Sequence, residues 1–191
     1  MAPRTYWASP VPPLAFSDGP AGTLASLQDI SPVPQRNLNL ITPELGTILR
    51  LKADGQVTST SATPTLTLGF YIGTVGSIGS ATLLVSLAAL PVGASTTAWP
   101  YQMEWEGEFR ALGSGGQLQG QGKMFWPASL TQWGSAVGTA NGPLALPATA
   151  AARTVSVNLA NVAQVMVGAT WTSTTGAPSI TCNRVTAELI G

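Results

Sequence analysis

The segment that most limits the folds open to this chain runs through residues 102–110. Met103, Trp105, Gly107 and Phe109 alternate there with Gln102, Glu104, Glu106, Glu108 and Arg110. Successive Cβ atoms of a strand point to opposite sides, so a period of two places the first set on one face and the second set on the other. The period returns after Gly113-Ser114-Gly115-Gly116, where Leu118, Gly120, Gly122 and Met124 oppose Gln117, Gln119, Gln121 and Lys123. Glycine reaches positive φ without steric cost, so this break predicts a hairpin. Its pairing sets the glutamates of one strand near glutamine and lysine of the other.

Alternation of the same kind recurs along the chain. Leu38 and Leu40 oppose Asn37, Asn39 and Ile41. Leu49, Leu51 and Ala53 oppose Ile48, Arg50, Lys52 and Asp54 up to Gly55, and residues 65–72 follow Pro64 with the same period. A glycine-rich break at 73–80 leads into the apolar run 81–90, expected as a buried strand ending at Pro91. Residues 127–152 read as a long Pro/Ala/Gly loop containing Trp133. Strands are expected again at 154–159, 164–172 and 180–190. About eight main strands, with no amphipathic helix and no internal repeat, predict an all-β fold: an antiparallel β-sandwich or jelly roll.

Residues 1–34 differ in kind. They hold seven of the 15 prolines, and proline cannot donate to a sheet ladder, so the segment is expected outside the main sheets. A solvated linker has no need of Tyr6, Trp7, Leu14 and Phe16, so these are the expected anchors of an extended N-terminal arm lying along its own body or a neighbour. A short helical turn is expected at 23–29. The domain plan is therefore an arm, 1–34, and a sandwich domain, 35–191.

Charge is sparse: eight Lys and Arg, eight Asp and Glu, 8% of the chain and no net charge. An ordinary chain carries about 25%. Size scaling gives a folded monomer roughly 8,500 Å² of surface, or one charge per about 530 Å². Such a surface is poorly defended against association, which predicts lasting self-assembly. The basic residues are scattered and none are adjacent, which argues against a nucleic-acid partner. No 18-residue window is apolar enough to span a bilayer, and the N-terminus has no signal-peptide core, so a soluble protein made in the cytoplasm is expected. Cys182, the single cysteine, is expected as a small buried apolar residue.

Chemistry is equally limited. The chain has no histidine, the commonest general base and metal ligand, and one cysteine cannot build a thiolate zinc site. Glu104, Glu106 and Glu108 are the only carboxylate cluster. Spaced about 6.8 Å apart along one strand face, they form a line rather than a cation cage, and are expected to pair with Lys123, Arg110 or Arg50. No nucleophile elbow or phosphate loop appears. No catalytic residue, cofactor or metal site is expected. Trp105 and Trp171 fall on apolar strand faces and are expected in the core, whereas Trp126 and Trp133 are candidate interface or ligand contacts.

Several runs resemble a known group. Gly46-Thr47-Ile48-Leu49-Arg50-Leu51, Thr63-Pro64-Thr65-Leu66-Thr67-Leu68-Gly69-Phe70-Tyr71, Ala169-Thr170-Trp171 and the ending Ile180-Thr181-Cys182 with Glu188-Leu189 resemble small virion proteins of tailed bacteriophages of actinobacterial hosts. The resemblance covers roughly residues 42–191. It implies a jelly-roll-like domain on the virion exterior, assembled as a homotrimer and acting as a decoration or minor capsid protein against the major capsid protein. Its alternative is a receptor- or glycan-binding head-fibre or tail protein that meets a host-surface glycan.

Overall fold

The computed structural model of the protein describes residues 4–8, 14–17, 25–28, 44–59, 64–73, 78–92, 94–95, 97–126, 144–147, 153–160, 164–172 and 178–191. The strands among them are β1 (Arg4–Ala8), β2 (Leu14–Ser17), β3 (Ala25–Gln28), β4 (Ile48–Thr58), β5 (Thr65–Gly73), β6 (Thr82–Pro91), β7 (Trp99–Ala111), β8 (Gly116–Phe125), β9 (Leu144–Leu146), β10 (Thr154–Val157), β11 (Gln164–Trp171) and β12 (Ser179–Ile190). They form two antiparallel sheets. The first runs β1-β12-β4-β7-β8-β10, with β2 also on β12 and β9 also on β8; the second runs β3-β11-β5-β6. The expected sandwich is present.

The early body strands pair with the last ones, β4 with β12 and β5 with β11, one pairing in each sheet of the sandwich. The middle departs from that pattern, because β7, β8 and β10 form an up-and-down run added to β4 within one sheet.

The period of two decides what is buried. Leu49, Leu51, Ala53 and Val57 of β4, Met103, Trp105 and Phe109 of β7, and Leu118 and Met124 of β8 face the second sheet, which answers with Leu66, Leu68, Phe70, Val167 and Trp171. A bulge between Cys182 and Arg184 shifts the phase of β12, so that Cys182 and Val185 both point inward. Trp105 and Trp171 are in the core, as their positions in the alternation predict. Gly107 and Gly120 are cross-strand partners beneath the Trp105 indole. A Cβ would lie 2.0 Å from its ring at Gly107 and 2.2 Å at Gly120, so these glycines form the slot for a flat, fully buried side chain.

The hairpin forms where the glycine run predicts it. A 3₁₀ turn, Gly113–Gly115, joins β7 to β8, and Gly113 takes φ 78°.

Several expectations need correction. The apolar run 81–90 is an edge strand, β6, and Leu83 on it is 41% exposed. Two register shifts against β5, between Leu66 and Leu68 and between Phe70 and Tyr71, mark β-bulges. An apolar run without alternation looks alike at an edge and in a centre, which is why the sequence misleads here. The arm does not lie wholly outside the sheets. Three short stretches pair, β1 and β2 with β12 and β3 with β11. Prolines 3, 10, 12, 13, 20, 32 and 34 fall between or beyond these stretches, so each short ladder keeps its donors. The helical turn expected at 23–29 is instead β3, because tertiary pairing overrides weak local propensity. The loop expected at 127–152 contains β9. β4 continues through Gly55 to Thr58, and the described residues from Ile48 onward form nine strands. The strand expected at 35–41 lies outside the described residues.

On the outer face of the second sheet Tyr71 and Met166 are cross-strand neighbours, both buried. The 3₁₀ turn Ile78–Ser80 approaches both β3 and β5 of this sheet.

Candidate functional site

The charges gather on the outer face of the first sheet. Arg50, Lys52 and Asp54 of β4, Glu104, Glu106, Glu108 and Arg110 of β7, Lys123 of β8, and Arg184 and Glu188 of β12 occupy the outward positions of adjacent strands. Arg153, just before β10, borders the same face. Of the described charged residues, Glu44 and Arg4, whose backbone begins β1, are not part of this group, and none belongs to β3, β5, β6 or β11.

Register turns these residues into a lattice. Lys52 and Lys123 flank Glu104 from either side, Nζ to carboxylate oxygen 3.0 and 3.5 Å. Arg50 bridges Glu106 through Nε and Glu188 through Nη1. Arg110 meets Glu108 at 3.0 Å and Arg184 meets Asp54 at 2.9 Å. The expected partners of the glutamate row, Lys123, Arg110 and Arg50, are therefore in place. Lys52, Glu188, Asp54 and Arg184 were not foreseen, because they join through β4–β12 and β4–β7 register between distant parts of the sequence. A hydrogen bond from Lys52 holds the Glu104 carboxyl below its ordinary pKa, with Lys123 assisting. A hydrogen bond to Glu106 raises the pKa of Arg50. The row is thus neutralised by its neighbours, and among the described residues no group of His, Cys, Asp and Glu is arranged to hold a metal ion.

A shallow groove follows β8 along this face. One part, of about 400 Å³, is lined by Glu104, Glu106, Gln121, Lys123, Pro147 and Arg153. The adjoining part, of about 280 Å³, shares Glu106, Gln121 and Arg153 and adds Glu108, Arg110 and Gln119. The alternating glutamines were visible in the sequence. The wall made by β9 and Arg153 was not, since it depends on where the segment between β8 and β10 returns.

Inside the sheet, Tyr101 is buried beside Cys182, and its hydroxyl has no hydrogen-bond partner of normal geometry. Burial raises the pKa of both groups, that of Cys182 to about 12. Cys182 Sγ contacts the Arg184 carbonyl at 3.6 Å, and the thiol is buried as the sequence predicts.

Trp126 is half-buried, its ring tilted against Tyr101 with centroids 6.0 Å apart. Trp133 lies outside the described residues. Tyr6, Trp7, Leu14 and Phe16 have described backbones in β1 and β2, and their side chains lie outside the description.

The chain matches no family model, no curated protein and no solved structure. Its surface chemistry is therefore read from its own residues.

Proposed function

We propose that the chain is a non-enzymatic structural protein of a virion: a capsid decoration or minor capsid protein on the capsid exterior, made in the host cytoplasm, that associates as a homotrimer and stabilises the lattice of the major capsid protein. The observation that carries this reading is the uneven placement of the few charges. A face covered by ion pairs is suited to water. A second sheet with no ionised side chain on its described strands is suited to other polypeptides, because interface cores are depleted in charge. The arm supports the same reading. Its short strands attach to β11 and β12 through main-chain hydrogen bonds, the mode by which an extended segment docks on a sheet edge. The sequence resemblance to small phage virion proteins points the same way.

The test is cosedimentation with capsids that lack this protein. Deletion of residues 1–34 abolishes binding in this account. Because the deletion also uncovers the β11 and β12 edges, the double substitution Tyr6→Ala/Trp7→Ala is tested beside it, and it weakens binding about tenfold or more. Full binding by both variants contradicts the mechanism.

A further inference from the structure

We propose that the groove along β8 is a binding site for a neutral oligosaccharide. Its charges balance along its length: Glu104 and Glu106 stand with Lys123 and Arg153 in one part, Glu106 and Glu108 with Arg110 and Arg153 in the other. A balanced lining gives no net attraction to a strongly charged ligand. It presents many hydrogen-bonding groups, with acceptors on the carboxylates, donors on the cations, and both on Gln119 and Gln121. Arg153 forms no ion pair with another described residue, which leaves its guanidinium donors for a bound molecule.

The backbone narrows the ligand class further. β7 is paired on both sides by β4 and β8, and β8 is paired by β7 and by β9 and β10. The floor therefore offers few main-chain groups of the kind an extended peptide uses to dock, and recognition falls to side chains. Those side chains recur about every 6.8 Å along a strand and about 4.8 Å across strands, over some 14 Å from Glu108 to Glu104, a grid matched to the hydroxyls of about two or three linked pyranose rings. Phe125, the next outward residue of β8 after Lys123, is 40% exposed on the same strand face but lies outside the groove lining. The groove opens on the ion-paired face, so assembly through the uncharged side leaves it in solvent. A shallow site binds weakly by itself, and repetition over an oligomer or a lattice multiplies its hold on a surface. The proposal does not rest on the capsid reading.

Saturation-transfer NMR on the full chain tests it, with trimers of N-acetylglucosamine, mannose and galactose as neutral probes, trigalacturonic acid as the charged comparator and a Gly-Ser-Thr-Gly peptide as the extended-chain comparator. The expected result is transfer to at least one neutral trimer. Gln121→Ala and Gln119→Ala, both exposed and both in the groove lining, each weaken that binding about tenfold. Gln117→Ala, on the same strand face but outside the groove lining, leaves it unchanged. No transfer to any neutral trimer, preferential binding of the acid or the peptide, or an equal loss in Gln117→Ala overturns the proposal. The particle-binding test is unaffected by either outcome, so failure of one reading is told apart from failure of the other.

Discussion

Trp105 shows how single residues fix this fold. Its indole lies over two positions that only glycine can occupy without displacement, Gly107 two residues along β7 and Gly120, the cross-strand partner of Gly107. A methyl group at Gly120 would meet the rigid ring at 2.2 Å and the Glu106 carbonyl oxygen at 2.6 Å, neither of which can swing aside. Gly120→Ala is expected to destabilise the protein by about 1–3 kcal/mol in denaturant titration, the usual cost of overpacking. Gly115→Ala, where nothing lies within 4 Å, changes stability by less than about 0.5 kcal/mol. The alternation made both core glycines legible as inward-facing, but not their purpose, since contact between Trp105 and β8 exists only once the hairpin closes.

Cys182 belongs at the same scale. Burial first, and the nearby Asp54 charge, hold its thiol up near 12. At pH 8 only about one thiol in 10,000 is ionised, and the thiolate is the reactive form. Native protein is expected to resist a thiol reagent over hours, and to react with one equivalent as soon as denaturant opens the β4–β12 pairing. Rapid reaction of the folded protein contradicts this placement.

At the scale of elements, the outer face of the first sheet draws its charges from four strands, and only one of those pairings, β7 with β8, is local in sequence. That explains why Lys123 on β8 was legible as a partner of the glutamate row; Arg50 of β4 was expected as well, whereas Lys52 and Asp54 of β4 and Arg184 and Glu188 of β12 were not. Each pair is partly exposed, so each contributes little alone and is weakened by salt. The sign of the pH effect is nevertheless fixed. Glu104 has its folded pKa lowered, chiefly by Lys52, from an ordinary value of 4.5. Its contribution is present in full above that value and is lost as pH falls below it through the folded pKa. The urea midpoint is expected to drop on acidification below about pH 4.5, and Glu104→Gln is expected to flatten that dependence while leaving the slope of the transition unchanged.

The edges behave differently from the faces. β6 is long, uncharged and at the rim of the second sheet, features that invite edge-to-edge pairing. Its two bulges break the regular ladder that a second strand would need. Association of this protein is therefore expected to run through side chains and arms rather than by continuing a sheet from copy to copy. The arm strands were hidden in the sequence because each is only four or five residues long, below the length at which periodicity is readable, and set among prolines.

For the whole molecule, the two sheets divide the labour of a sparsely charged chain. One outer face concentrates the ionised groups, and apart from Arg153 they are paired with one another. The other carries none on its described strands, and Tyr71 and Met166 are buried there, outside the inter-sheet core. Fold class was legible because a period of two leaves a core between two sheets and little else. The division of charge was not, because it needs the order of strands in each sheet, which loops of any length can satisfy. A body arranged in this way is expected to complete its burial against further chains, and copies of itself are the nearest supply. Sedimentation equilibrium of the full-length chain, at low micromolar concentration and physiological salt, tests this most directly. The account predicts a species of three chain masses that persists through about tenfold dilution; a single chain mass across that range contradicts it.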